Sequence, residues 1–142
     1  MTGRLLLDNS AWARLGGASL PSGRLLEVAE GMEAGQVVAC LPFLLEAGYS
    51  SRSGVEHRQI CDELLALPWA AMDAIVERRA IDAQRQLARG GHHRLPPVDV
   101  LLAAIADHHQ LGVLHYDADY DLLAEKTDLD FESVWLAERG SL

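Results

Sequence analysis

The strongest constraint in this sequence is a set of short runs that are apolar at nearly every position. Residues 5–7 are Leu-Leu-Leu, residues 36–40 read Gln-Val-Val-Ala-Cys and residues 113–116 read Val-Leu-His-Tyr. A strand with one face in water alternates apolar and polar side chains. These runs do not alternate, so both faces must be covered. Each is also too short for a stable helix. Residues 69–72 (Trp-Ala-Ala-Met) and 131–135 (Phe-Glu-Ser-Val-Trp) extend the set, which predicts five strands in all, the first over residues 3–8.

Between the runs lie stretches of helical period. One begins at Asn9–Ser10 and another spans 22–34, with Ser22 as the expected cap and Leu25, Leu26, Ala29 and Met32 on the buried side. Pro42 suits the first turn of a helix to Ser50. Further helices are expected over 54–66, 73–90 with Gly90 and Gly91 as the stop, 96–110 after the prolines, and 119–126. Strand–helix alternation predicts an α/β fold with helices on both faces of a short parallel sheet. The 142 residues suit a single domain spanning 1–142. In such sheets ligands bind at the carboxyl ends of the strands.

Four acids stand alone in apolar surroundings. Asp8 is the only charge between Leu5 and Ala13, Glu46 the only one in 37–51, Asp99 the only one in 95–106, and Asp117 the first after the Val-Leu-His-Tyr run. No base lies in those segments to pair with them. Each taken singly reads as a cap, a turn or a surface point. Taken together, Asp8 and Asp117 end strands on the side where a parallel sheet places its site, and Glu46 and Asp99 lie in early turns of helices that begin there. Converging carboxylates repel one another and need a cation or a proton. Oxygen ligands without His or Cys suit Mg²⁺ or Mn²⁺. Such an ion acidifies a water that can attack a phosphodiester.

On these residues the chain resembles the PIN-domain family, and within it the VapC ribonuclease toxins. The resemblance rests on LLLDNSAW, LPFLLEAGYS, LPPVDVLLAAIADHHQLGVL and HYDADYDLL, and it covers nearly the whole chain. It implies a three-layer α/β/α PIN-like domain with a short central parallel sheet. It implies a metal-dependent endoribonuclease, a toxin of a VapBC-type toxin–antitoxin pair, that hydrolyses RNA phosphodiester bonds with Mg²⁺ or Mn²⁺. Asp8, Glu46, Asp99 and Asp117 would be the catalytic, metal-binding acids, Asp119 an extra ligand and Ser10 a hydroxyl beside them. It also implies a homodimer, silenced by a cognate VapB-type antitoxin in a heterotetramer or larger assembly. One position departs from the family: His115 stands where Thr or Ser is usual, and would contact the phosphate or hydrogen-bond in place.

Other features have plainer readings. Asp117, Asp119 and Asp121 alternate as in a calcium-binding EF-hand loop, but Leu122 and Asp128 stand where Gly and Glu are required. Residues 73–90 carry Arg78, Arg85 and Arg89 on one side and Val76, Ala80, Ala83 and Leu87 on the other. The arginines are either a solvated face, with Arg78 paired to Asp82, or a strip that grips RNA phosphates. The pairs His92–His93 and His108–His109 read as surface, since adjacent helical residues share no face. Trp12 and Tyr49 are candidates for a dimer or antitoxin surface. Cys40 and Cys61 read as buried thiols of a reducing cytoplasm. No apolar run reaches the ~18 residues of a membrane span, and Arg4 precedes too short a stretch for a leader. The net charge of −9 argues against broad, non-specific nucleic-acid binding but not against a metal-neutralised groove.

The rival readings are a non-enzymatic PIN-like protein-binding module with a structural metal, and a phosphatase or phosphoacceptor domain. The last wants a second Asp two residues after Asp8, where Ser10 stands, or a late-strand lysine. The only lysine is Lys126.

Overall fold

The computed structural model describes residues 3–142. In chain order its elements are β1 (Leu5–Leu7), α1 (Asn9–Trp12), α2 (Ser22–Glu33), β2 (Val37–Val38), α3 (Leu41–Tyr49), α4 (Gly54–Leu65), α5 (Ala74–Arg89), α6 (Pro97–His109), β3 (Gly112–His115), α7 (Asp119–Lys126) and β4 (Ser133–Trp135). The four strands form one parallel sheet in the order β2-β1-β3-β4. Leu6 pairs with Val38 on one side and Val113 on the other, and Leu114 pairs with Val134. Leu6, Leu7, Val113 and Leu114 are fully buried, as uninterrupted apolar strands require.

Two parallel neighbours crowd the start of β3. A Cβ at Gly112 would lie 2.7 Å from Leu5 Cδ2 and 3.2 Å from Glu132 O, so only glycine lets β1 and the entry to β4 close on it. The helix α6 is the most buried of the helices: Leu102 through Ala106 are covered on all sides. It begins at two prolines, which preset the first turn and lack the N–H groups that would be orphaned there.

Four expectations are corrected. Residues 69–72 are not a strand. Ala39 N–H donates to Pro68 O, Ala70 N–H donates to Ala39 O, and the single bridge at Trp69 is all that forms. With β2 only two residues long, the neighbouring segment has no further ladder to join, and it turns away to the α5 cap at Asp73, whose Oδ1 accepts from Ile75 and Val76. Ser22 does not cap α2; Pro21 precedes the helix and no side chain caps it. The buried side of α2 is Val28 and Gly31, with Met32 half-buried, while Leu25, Leu26 and Ala29 are exposed. The helical period agrees with the expectation, but the phase differs: the buried stripe runs through Val28, Gly31 and Met32 rather than through Leu25, Leu26 and Ala29. Cys61 is half-buried, beside His57 one turn earlier, whereas Cys40 is buried.

Candidate active site

The site is assembled where β1 and β3 end. Asp8 leaves β1 with its N–H still donating to Leu114 O at 3.0 Å, so the sheet itself fixes its backbone. Its side chain caps α1: Oδ2 accepts from Ser10 N at 2.9 Å and from Ser10 Oγ. Ser10 Oγ in turn accepts from Tyr116 N at 2.8 Å, which ties the end of β3 to the same carboxylate. The capping reading and the functional one therefore coincide at Asp8, which is 3% exposed.

Tyr120, fully buried on α7, sends its hydroxyl between two acids. It donates to Asp8 Oδ1 at 2.7 Å and lies 3.3 Å from Asp99 Oδ1. One hydroxyl proton serves one acceptor, so the longer contact is completed only when Asp99 carries a proton. Asp99 sits in the first turn of α6, 7% exposed, and its Oδ2 is buried without a partner. Asp117 follows β3 and accepts from Asp119 N at 3.0 Å. Carboxylate oxygens of Asp99, Asp117 and Asp119 all lie within 4.8 Å of one another.

This crowding shows in the proton affinities. Asp99 is pushed up to about 7, first by burial and then by the fields of Asp8, Asp117 and Asp119. Burial and the same kind of neighbours raise Glu46, which feels Asp8 and Asp117. Asp119 is raised by burial and by Asp117. Burial and both adjoining acids hold the Tyr120 proton in place well beyond the usual phenol range. A divalent ion would reverse these shifts, since the charged carboxylates then gain a partner. The donor set fits such an ion: three carboxylates each offer an oxygen within reach of one centre, one of those carboxylates (Asp99) has a buried oxygen without a partner, and no soft ligand is among them.

The expected residues divide as follows. Asp99, Asp117 and Asp119 form the close group, Asp8 joins it through Tyr120, and Glu46 stands half-buried on α3 within the fields of Asp8 and Asp117. Ser10 is beside Asp8 as expected. His115 is fully buried and so hydrogen-bonds in place. Its Nδ1 accepts from Asp117 N at 3.1 Å, so its proton sits on Nε2, 2.7 Å from Ser133 Oγ. Ser133 Oγ donates onward to Asp121 Oδ1 at 2.7 Å, and Asp121 Oδ2 accepts from Trp135 Nε1 at 3.1 Å. Burial lowers the His115 pKa against the opposing pull of Asp121, Asp8 and Asp117. Asp121 is thus turned away from its two neighbours, which removes the EF-hand reading.

Arg78, Arg85 and Arg89 are all exposed on α5. Asp73 reaches His108, and Arg79 clasps Asp107 at 3.0 and 3.1 Å, so the start of α5 lies against the end of α6. The hairpin leaves Arg78 at the end of α6 opposite Asp99, about 12 Å along the axis, and Arg85 and Arg89 at the nearer end. Asp82 pairs with Arg85, not with Arg78. His109 is exposed and His108 half-buried, and each has a partner: His108 reaches Asp73 and His109 reaches Ala71 O. Trp12 packs edge-on against buried Phe43, while Tyr49 is 91% exposed. Sequence reasoning missed Tyr120 and Arg14. Tyr120 looks like one more apolar position of α7, and only its place next to Asp119 hints at a hydroxyl among acids. Arg14 follows Ser10 by one helical turn, and its guanidinium donates to Ser10 O at 2.8 Å.

No protein-family model matches the chain. Among curated proteins it is 36% identical over 139 residues to Ribonuclease VapC51 of Mycobacterium tuberculosis, covering 98% of this chain and 97% of that one. It is 37% identical over 144 residues to Ribonuclease VapC21 of the same species, covering 99% of each. Among solved structures it resembles the DNA-bound VapBC complex of Salmonella typhimurium, with a TM-score of 0.73 at 15% identity over 95% of this chain and 99% of that one. It also resembles VapBC2 of Rickettsia felis bound to a promoter DNA fragment, with a TM-score of 0.72 at 12% identity over 92% and 98%. At those identities the solved structures speak for the fold, and the helix-flanked parallel sheet agrees with theirs.

Proposed function

The chain belongs to the VapC ribonuclease family, and from that premise we propose that it is the endoribonuclease toxin of a toxin–antitoxin pair, cutting RNA at the ends of β1 and β3. The observation that carries this reading is the close group of Asp99, Asp117 and Asp119 with its orphaned Asp99 oxygen. These three residues, with Asp8 and Glu46 around them, would hold Mg²⁺ or Mn²⁺, and such an ion would supply polarisation of a phosphoryl oxygen and a more acidic water.

The chain's own groups prepare that chemistry. Ser10 and Tyr120 donate to opposite oxygens of Asp8 and fix its carboxylate plane. His115 fixes Asp117 from behind through the Asp117 N–H. Asp99, with its affinity near pH 7, releases its proton when a cation arrives. The half-buried Glu46, the one carboxyl on α3, is raised as well and is placed to exchange protons with water.

The partners follow the family: RNA as substrate, a VapB-type antitoxin as inhibitor, and a homodimer within a heterotetramer or larger complex. The described residues contain no helix long and apolar enough to cross a membrane, and the working compartment is the cytoplasm. The test is RNA cleavage by the purified protein with Mg²⁺ or Mn²⁺. Cleavage should vanish in EDTA and in Asp99→Asn and Asp117→Asn proteins that keep the wild-type circular dichroism. Undiminished cleavage in Asp99→Asn would remove that residue from the site. Metal binding without any turnover would leave the protein-binding module instead.

A further inference from the structure

The carboxylate centre repels the substrate proposed for it. The chain carries twelve Lys and Arg against twenty-one Asp and Glu, so an approaching phosphate backbone needs a local cation besides the metal. Several of the arginines are committed elsewhere. Arg24 pairs with Glu27 and holds Leu136 O and Trp135 O; Arg79 is clasped by Asp107; Arg85 meets Asp82. Arg14 makes no ion pair among the described residues, and it is half-buried against Ser10 and Tyr116, which adjoin the site through Asp8 and Asp117.

Its guanidinium is already fixed. One nitrogen donates to Ser10 O at 2.8 Å, on the same Ser10 whose hydroxyl joins Asp8 to Tyr116. The guanidinium carbon lies 4.7 Å over the centre of the Tyr116 ring. That ring is braced in turn: it meets Trp135 edge-on at 5.6 Å, and its hydroxyl accepts from Leu142 N at 2.9 Å. Tyr116 immediately precedes Asp117 in the chain. A guanidinium has five N–H donors in a planar fork. One of them is used here, and the rest remain for a bidentate grip on an anion. The conformational entropy that a long Arg side chain loses on being ordered is largely met before any ligand arrives.

We propose that Arg14 is a preset RNA-phosphate clamp: held by Ser10 O and the Tyr116 ring, it grips a backbone phosphate next to the cleaved bond. This rests on the ribonuclease reading above. It moves the principal grip from the exposed arginines of α5 to a residue one helical turn from Ser10.

The experiment measures RNA cleavage by the full chain against KCl concentration, for wild type, Arg14→Ala and Arg14→Lys. It is joined to a Mn²⁺ titration of each metal-free protein without RNA. A clamp predicts that Arg14→Ala raises KM about tenfold with kcat within about threefold, as for one lost phosphate contact. The plot of log(kcat/KM) against log salt should flatten by about 0.7, the value for one single-strand phosphate. Arg14→Lys should restore that slope, and Mn²⁺ affinity should not fall in either variant. An unchanged salt slope in Arg14→Ala, or a loss of Mn²⁺ affinity matching the loss of activity, would mean that the guanidinium only braces Tyr116 and the proposal is wrong. If the wild type does not cut RNA at all, the ribonuclease reading fails first and takes the clamp with it; normal wild-type cleavage with an Arg14-independent slope overturns the clamp alone.

Discussion

Replacing Asp99 by Asn should make the metal-free protein more stable while destroying its site. Asp99 is 7% exposed, one of its oxygens has no partner, and three acids surround it. Its carboxyl ionises near 7 in the folded chain, against 3.8 when free. At about 1.36 kcal/mol per pKa unit, holding that charge in the fold at pH 8.5 costs on the order of 4 kcal/mol. Asn is permanently uncharged and can donate an amide N–H to the Tyr120 oxygen, whose own proton is given to Asp8. It forgoes the favourable dipole of the first turn of α6, about 0.3–1 kcal/mol. Allowing for water entry and relaxation, a net gain of about 2 kcal/mol remains, or roughly 5 °C in Tm for a chain of this size. The pH dependence has a definite sign. A carboxyl with a raised folded-state pKa binds its proton more tightly in the folded state, so stability falls as pH rises from about 4 to about 7 and is flat above. The advantage of Asp99→Asn should therefore be largest at pH 8.5 and shrink to less than half at pH 5. Thermal unfolding in EDTA at the two pH values measures it. A lower Tm for Asp99→Asn at pH 8.5, or the same difference at both pH values, would refute the reasoning that Asp99 is a strained, uncompensated charge.

The other predictions concern the supporting groups. Tyr120→Phe removes the donor to Asp8 Oδ1; losing a hydrogen bond to a charged acceptor costs about 1.5–3 kcal/mol, and calorimetry should show Mn²⁺ affinity lower by roughly tenfold, as for other groups that orient metal ligands. At His115, Asn places an acceptor near the Nδ1 position and should retain most cleavage, whereas Ala leaves the Asp117 N–H unpaired and should cost about 2–3 kcal/mol in urea unfolding as well as metal affinity. Gly112→Ala pushes a methyl against Leu5 and Glu132 O and should cost about 1–3 kcal/mol in the same assay, with cleavage by the surviving folded protein unchanged.

Most of the fold was legible because its core strands are apolar throughout. Leu5–Leu7 and Gly112–His115 could only be buried, and the acids that follow them could only be caps, site residues or both. What misled was marginal pairing. Trp69–Met72 has the composition of a strand, but the two-residue β2 offers it only one bridge. Likewise α2 has a clear period, yet its packed side is set by Val28 and Gly31, and nothing local distinguishes that phase from one led by Leu25. The acids were legible by their isolation among apolar residues. Their support was not: the Tyr120 hydroxyl, the His115 tautomer and the seat of Arg14 each depend on contacts between segments far apart in the chain.

The most direct test of the shared metal centre is an anomalous difference map from crystals of the wild-type protein grown with Mn²⁺. The account predicts a peak bounded by the carboxylates of Asp99, Asp117 and Asp119, with Asp8 and Glu46 around it, and no such peak in Asp117→Asn crystals. Full RNA-cutting activity in crystals-grade protein whose map has no manganese among those residues would contradict it.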